Sequence, residues 1–209
     1  MNENIYRRNE MLAKKVIKGL ESRNMNGYYA ADREEALKIA LELIPEGSSV
    51  TMGGSVSANE IGLVDAVKEG NYNFIDRDAA EDRKKAMRDA FTADVYLTST
   101  NAMTEDGILV NIDGFANRVA AIAFGPEKVV FIVGMNKVCD DVDGAVKRAR
   151  NVAATSNAQR FDLGTPCHLT GSCLDCKHIN TICCQFLVTR FSREKDRINV
   201  ILVNDNLGF

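Results

Sequence analysis

Val129-Val130-Phe131-Ile132-Val133 is an unbroken apolar run that ends at Gly134. A strand with one wet face alternates apolar and polar residues, so an uninterrupted run marks a central strand covered on both faces. Outward from it, Ser49-Val50-Thr51-Met52, Asn73-Phe74-Ile75, Asp94 to Thr100, Ile108 to Ile112 and Ile198 to Val203 read as further strands, and Tyr28-Tyr29-Ala30 as a short one. Helices fall between them. Asp32 to Glu35 is a capping box ahead of Ala36, Leu37, Ala40, Leu41 and Ile44, and Pro45-Glu46-Gly47 stops that helix. Ser57 to Glu60 is a second box, opening a helix with Ile61, Leu63, Val64 and Val67 that ends at Gly70. Asp78 to Glu81 caps a third through Phe91, and Asp140 to about Ala154 is a fourth. Strands alternating with capped helices predict a layered α/β fold, a mostly parallel sheet with flanking helices.

Residues 4–23 precede these units as an amphipathic helix, with Leu12, Val16 and Leu20 on one face. Residues 1–25 are therefore expected to form an N-terminal helical arm, packed on the domain or on a second copy in a homodimer. At 209 residues, 45% hydrophobic and 26% charged, the chain suits one soluble domain spanning 1–209. No apolar run reaches membrane-span length. A net charge of −3 without a basic, aromatic-laced stripe argues against a nucleic-acid partner. Met1 to Arg8 is polar and charged, unlike a signal peptide, so a cytoplasmic setting with reduced thiols is expected.

In parallel sheets ligands bind beyond the carboxyl ends of the strands. Gly53-Gly54-Ser55-Val56-Ser57 lies at such an end and before a helix, where backbone N–H groups and the helix dipole suit a phosphate or carboxylate. It is neither a P-loop nor G-x-G-x-x-G. The alternative is a tight turn with Ser57 capping against Glu60, to which a catalytic role of Glu60 would be an addition. Asn101 to Gly107 holds Asp106-Gly107, a hairpin turn signal. Asn111, Asp113, Asn117 and Arg118 crowd the next loop. Arg118 can grip a carboxylate in a fork, and Asp113 can orient it or accept a proton; the alternative is a buried network that fixes the loop. Asn136-Lys137 follows Gly134 and brings a cation to the same region. A small anionic ligand, carboxylate or phosphate, is the expected partner of these residues.

Five of the six cysteines lie between Cys167 and Cys184, spaced C-x5-C-x2-C-x6-C-C. A disulfide framework, a structural zinc and an iron–sulfur cluster compete, along with buried inert thiols. Without export, disulfides are disfavoured. Zinc usually shows two paired motifs and here there is one C-x2-C, which tilts the reading to iron–sulfur with zinc as alternative. Cys167, Cys173, Cys176 and Cys183 are the expected ligands, Cys184 is the spare, and 164–187 is the metal-binding segment. Cys139 reads as a core thiol.

Taken together the chain resembles the lactate-utilisation (LUD) domain family. The resemblance rests on Gly53-Gly54-Ser55 with Glu60, Asn101 to Gly107, Asn111-Ile112-Asp113-Gly114, Asn117-Arg118-Val119-Ala120, Phe124-Gly125-Pro126, Val133-Gly134-Met135-Asn136-Lys137, Pro166-Cys167, Gly171 to Cys176, Ile182-Cys183 and Leu207-Gly208-Phe209. It implies a fold like that of the ribose-5-phosphate isomerase, glucosamine-6-phosphate deaminase and CoA-transferase group. It also implies bacterial lactate oxidation to pyruvate beside iron–sulfur partner proteins. The chain looks like a short stand-alone form without a ferredoxin-like extension. Ala116 stands where the family usually has glycine. Three functions follow: a subunit of a 2-hydroxy-acid oxidation system; a non-redox sugar-phosphate or acyl-CoA enzyme with structural zinc, using Glu60 or Asp113 as base or nucleophile; or a ligand-sensing scaffold.

Overall fold

A computed structural model describes residues 2–209. In chain order the elements are α1 (Glu3–Ser22), β1 (Asn26–Ala30), α2 (Arg33–Leu43), β2 (Ser49–Met52), α3 (Val56–Glu60), α4 (Leu63–Glu69), β3 (Asn73–Ile75) and α5 (Arg83–Asp89). Then come β4 (Val95–Thr98), β5 (Ala102–Thr104), β6 (Leu109–Asp113), α6 (Asn117–Ala123), β7 (Lys128–Gly134), β8 (Val138–Cys139) and α7 (Val142–Arg148). The chain closes with α8 (Thr155–Ala158), α9 (Pro166–Thr170), β9 (Gln185–Thr189) and β10 (Ile198–Val203).

The main sheet has six strands in the order β1-β10-β7-β4-β2-β3, every pair parallel. The apolar run of β7 lies inside it. Val129, Phe131 and Val133 join α1 and α6 in one core layer, whereas Val130 and Ile132 join α2, α3 and α4 in the other. That is period-two alternation with both faces buried, and each such side chain contributes about 1.5–3 kcal/mol of burial. The first helix packs on its own domain: Ala13, Val16 and Leu20 are buried, and Asn9 Nδ2 donates to Asn204 Oδ1 at 3.0 Å. Met1, the first residue of the expected arm, lies outside the described residues.

The sequence reading misses a second sheet, β8-β5-β6-β9, in which β5–β6 and β6–β9 are antiparallel. Its β6 is the strand expected at Ile108 to Ile112, but β5 and β8 are only three and two residues long and Phe186 and Val188 of β9 stay exposed, so neither length nor burial pattern announces those three. The helix expected from Ser57 is also redrawn. Ser55 is its N-cap, accepting the Ala58 N–H at 3.2 Å, and Gly62 at φ +74° splits it into α3 and α4. Ser57 and Glu60 therefore form no capping box; both side chains are free for other partners. Likewise Asp82, not Asp78, caps α5, accepting the Lys85 N–H at 2.9 Å. The helix from Val142 runs on through a π-helical stretch, Ala149–Ala154, into α8.

Candidate functional site

The sheet order sets the location. From β2 the chain moves outward to β3, then returns to β4 on the other side of β2. The carboxyl ends of β2 and β4 thus flank a point where the winding reverses, the usual place for a ligand in such sheets. A small cavity of about 50 Å³ opens there. At about 10–15 Å³ per water, it holds about three to five waters, the bulk of a small acid or a single phosphate rather than a nucleotide. Its walls come from the Gly53–Ser57 turn after β2, Thr98 to Asn101 after β4, Arg118 on α6 and Lys137 after β7; Arg160 and the Gly208-Phe209 segment complete it.

The glycines of the turn have separate reasons. A Cβ at Gly53 would collide with the Tyr96 hydroxyl and the Arg118 side chain. Gly54 sits at φ +81°, a conformation that side chains strain, with the Arg77 guanidinium beside it. Burial raises the Tyr96 phenol well above its ordinary range, so it is a neutral wall.

Lys137 forms the floor and is buried. Its Nζ lies 3.0 Å from Ser57 Oγ and 2.9 Å from Ser99 Oγ. Among the described residues no carboxylate forms an ion pair with it. Burial, and next the charge of Arg148, bring its pKa down from 10.5 to about 7, against an opposing pull from Glu60. Glu60 itself is turned to the chain's last residues, accepting the Gly208 N–H at 2.7 Å.

Asp113 and Arg118 do meet. Asp113 Oδ2 accepts the N–H groups of Arg118 at 2.7 Å and Val119 at 3.2 Å, holding the start of α6, and the Arg118 guanidinium donates to the Ile112 carbonyl at 2.6 Å. Asp113 is thus a buried support and Arg118 a wall of the cavity. The asparagines brace the loops. Asn111 Nδ2 donates to the Ser99 carbonyl at 3.0 Å, Asn101 Oδ1 accepts the Ile112 N–H at 2.8 Å, and Asn136 Oδ1 accepts the Leu207 N–H at 3.2 Å. Asn101 lines the cavity, while Asn111, Asn117 and Asn136 stand outside its lining. Sequence reasoning misses Ser99, Arg148 and Arg160. Ser99 had a signal, a hydroxyl directly after a strand; the two arginines had none, since they sit on or just past a helix far along the chain. Arg148 ties the loops together, donating to the carbonyls of Asn136 at 3.0 Å, Asn101 at 2.6 Å and Phe209 at 3.3 Å.

The cysteine segment lies beside this region, joined to it by the Cys184 N–H donating to the Asp113 carbonyl at 2.9 Å. Cys183 is half-buried against the small core under the second sheet, and Cys184 is exposed. Burial, and then the charges of Cys173, Cys167 and Cys176, push the Cys183 thiol up to about 11, with Arg150 opposing. Arg150 also donates to Cys173 Sγ at 3.6 Å. The other three thiols thus lie within electrostatic reach of Cys183, yet among the described residues no three His, Cys, Asp or Glu side chains are grouped tightly enough to hold a metal ion. Four thiols are a donor set that iron–sulfur clusters and structural zinc both use.

The sequence profile of the LUD domain matches residues 13–203. A DUF162 family protein from Deinococcus radiodurans shares the fold at a TM-score of 0.55 and 13% identity, covering 94% of this chain and 98% of its own. The eIF2B delta protein from Chaetomium thermophilum aligns over 67% of this chain and 57% of its own, at 17% identity and a TM-score of 0.36. No curated protein matches the sequence. No helix among the described residues is long and apolar enough to cross a membrane.

Proposed function

This chain belongs to the LUD domain family, and from that membership and the pocket together we propose that it is the small-acid-binding subunit of a 2-hydroxy-acid oxidation system converting lactate to pyruvate. One observation carries the reading. A cavity sized for a small acid has a buried, unpaired lysine at its floor and Arg118 in its wall. A buried cation without a counter-charge is costly, and an incoming carboxylate relieves that cost. In the turn the Gly53 N–H is taken by the Leu97 carbonyl, so Gly54 and Ser55 are the residues that offer backbone N–H groups, and Arg118 supplies further donors. A carboxylate held between them leaves the acid's hydroxyl-bearing carbon facing Lys137.

Cys167, Cys173, Cys176 and Cys183 would hold an iron–sulfur cluster, which when bound supplies one-electron transfer to an iron–sulfur partner protein. The chain's own part is to bind and orient the acid and to exclude water from its reacting carbon. The test is lactate-dependent reduction of a dye acceptor by protein purified without oxygen, alone and with its iron–sulfur partners. Turnover with partners, lost in Arg118→Ala, is the expected result; no lactate-dependent electron transfer under either condition overturns the reading.

A further inference from the structure

Lys137 carries more than a positive charge to the pocket. Its amine is buried, its two polar contacts are the hydroxyls of Ser57 and Ser99, and no carboxylate among the described residues holds it as an ammonium. A hydroxyl can accept from an ammonium or donate to the lone pair of a free amine, so this cradle accommodates both protonation states. Desolvation and the neighbouring Arg148 favour the free amine. A lysine desolvated beside another cation is the arrangement that turns an amine into a nucleophile toward carbonyl carbon.

We propose that Lys137 condenses reversibly with the carbonyl carbon of a small 2-oxo acid whose carboxylate lies on the Gly53–Ser55 turn against Arg118. This rests on the pocket being a small-acid site. The amine lone pair attacks the carbonyl carbon, forming a C–N bond as the C=O π pair moves to oxygen. That oxygen leaves as water, taking both amine hydrogens, and a C=N bond to Lys137 remains. No oxidant or reductant enters the step. The Ser57 and Ser99 hydroxyls are within reach of the nitrogen and can pass protons between it and the departing oxygen. A 2-hydroxy acid has no electrophilic carbon at that position and is held by its carboxylate alone. The pocket thus tells the oxidised acid from the reduced one by bond formation.

The experiment treats the full chain with stoichiometric pyruvate and cyanoborohydride, which reduces the imine to a stable secondary amine, followed by peptide mapping. Lactate replaces pyruvate in a parallel arm, and calorimetry without reductant measures binding of each acid. The expected result is one carboxyethyl group on Lys137 with pyruvate and none with lactate. Pyruvate binding without an adduct, or label spread over surface lysines, overturns the amine chemistry while leaving the small-acid site standing. Failure of both acids to bind overturns the two readings together.

Discussion

Asp113 holds Arg118 by its backbone more closely than by its charge: Oδ2 accepts the Arg118 N–H at 2.7 Å, while the guanidinium Nη2 stands 3.5 Å from Oδ1. The two residues should therefore fail in different ways. Asp113→Ala leaves two buried N–H groups without an acceptor and should cost about 1–3 kcal/mol in urea unfolding. Arg118→Ala should leave the midpoint within about 1 kcal/mol yet weaken calorimetric binding of lactate or pyruvate tenfold or more, the loss expected for a charge-assisted hydrogen bond.

Lys137 makes stability depend on pH in a stated direction. Its folded pKa of about 7 lies below its ordinary 10.5, so between those values the unfolded chain binds more protons and stability rises with pH. Below about pH 7 the lysine is charged in both states and the full burial cost applies. Lys137→Met should be more stable than the parent at pH 6 by a few kcal/mol, a gap that closes as pH approaches 10.5. Urea midpoints at pH 6, 8 and 10 check this; a parallel pH dependence in both proteins would refute it.

Gly53→Ala should disable the pocket from within. Its methyl would collide with the buried Tyr96 hydroxyl and with Arg118, and overpacking of this kind costs about 1–3 kcal/mol. Thermal unfolding should show the loss, and calorimetry should show no acid binding even where the variant is folded.

Ala116 is strained where it stands, at φ +64° just ahead of α6. The left-handed conformation costs an alanine about 1–2 kcal/mol, whereas glycine adds about 0.5–1 kcal/mol of unfolded-chain entropy. Ala116→Gly should stabilise the protein by about 0.5–1 kcal/mol in denaturant unfolding, with ligand affinity unchanged.

Protein purified without oxygen should carry iron and acid-labile sulfide in stoichiometric amounts with broad visible absorption, lost together in Cys176→Ser. One zinc without colour would instead make the segment a clamp. Stripping the metal should leave far-UV circular dichroism nearly intact, because the segment lies outside the six-stranded sheet.

The parallel sheet was legible because two of its inner strands, β7 from Val129 onward and the whole of β10, are buried and announce themselves as apolar runs. That the loops after β2, β4 and β7 line a cavity was legible for a related reason, since glycines and polar residues gather at those strand ends. Ser57 and Glu60 show the limit. Their spacing reads as a capping box, but Ser55 takes the cap, and tertiary contacts with Lys137 and Gly208 decide where the two side chains go. Of the second sheet only β6 was legible; β5 and β8 were lost for want of length, β9 for its exposure, and Arg148 and Arg160 because only the folded chain brings a late helix over an early turn.

The pairing of Asn26 with Asn199 in neighbouring strands β1 and β10 has a consequence for how the protein is born. Strand β10 lies between β1 and β7, so β1 cannot join the sheet until residues 198–203 have left the ribosome. The pocket inherits the delay, since Gly208 follows β10 and closes over Ser57 and Lys137. Contacts of such high sequence separation form slowly, so a nascent chain passes an interval with apolar strands uncovered and no ligand able to rescue it.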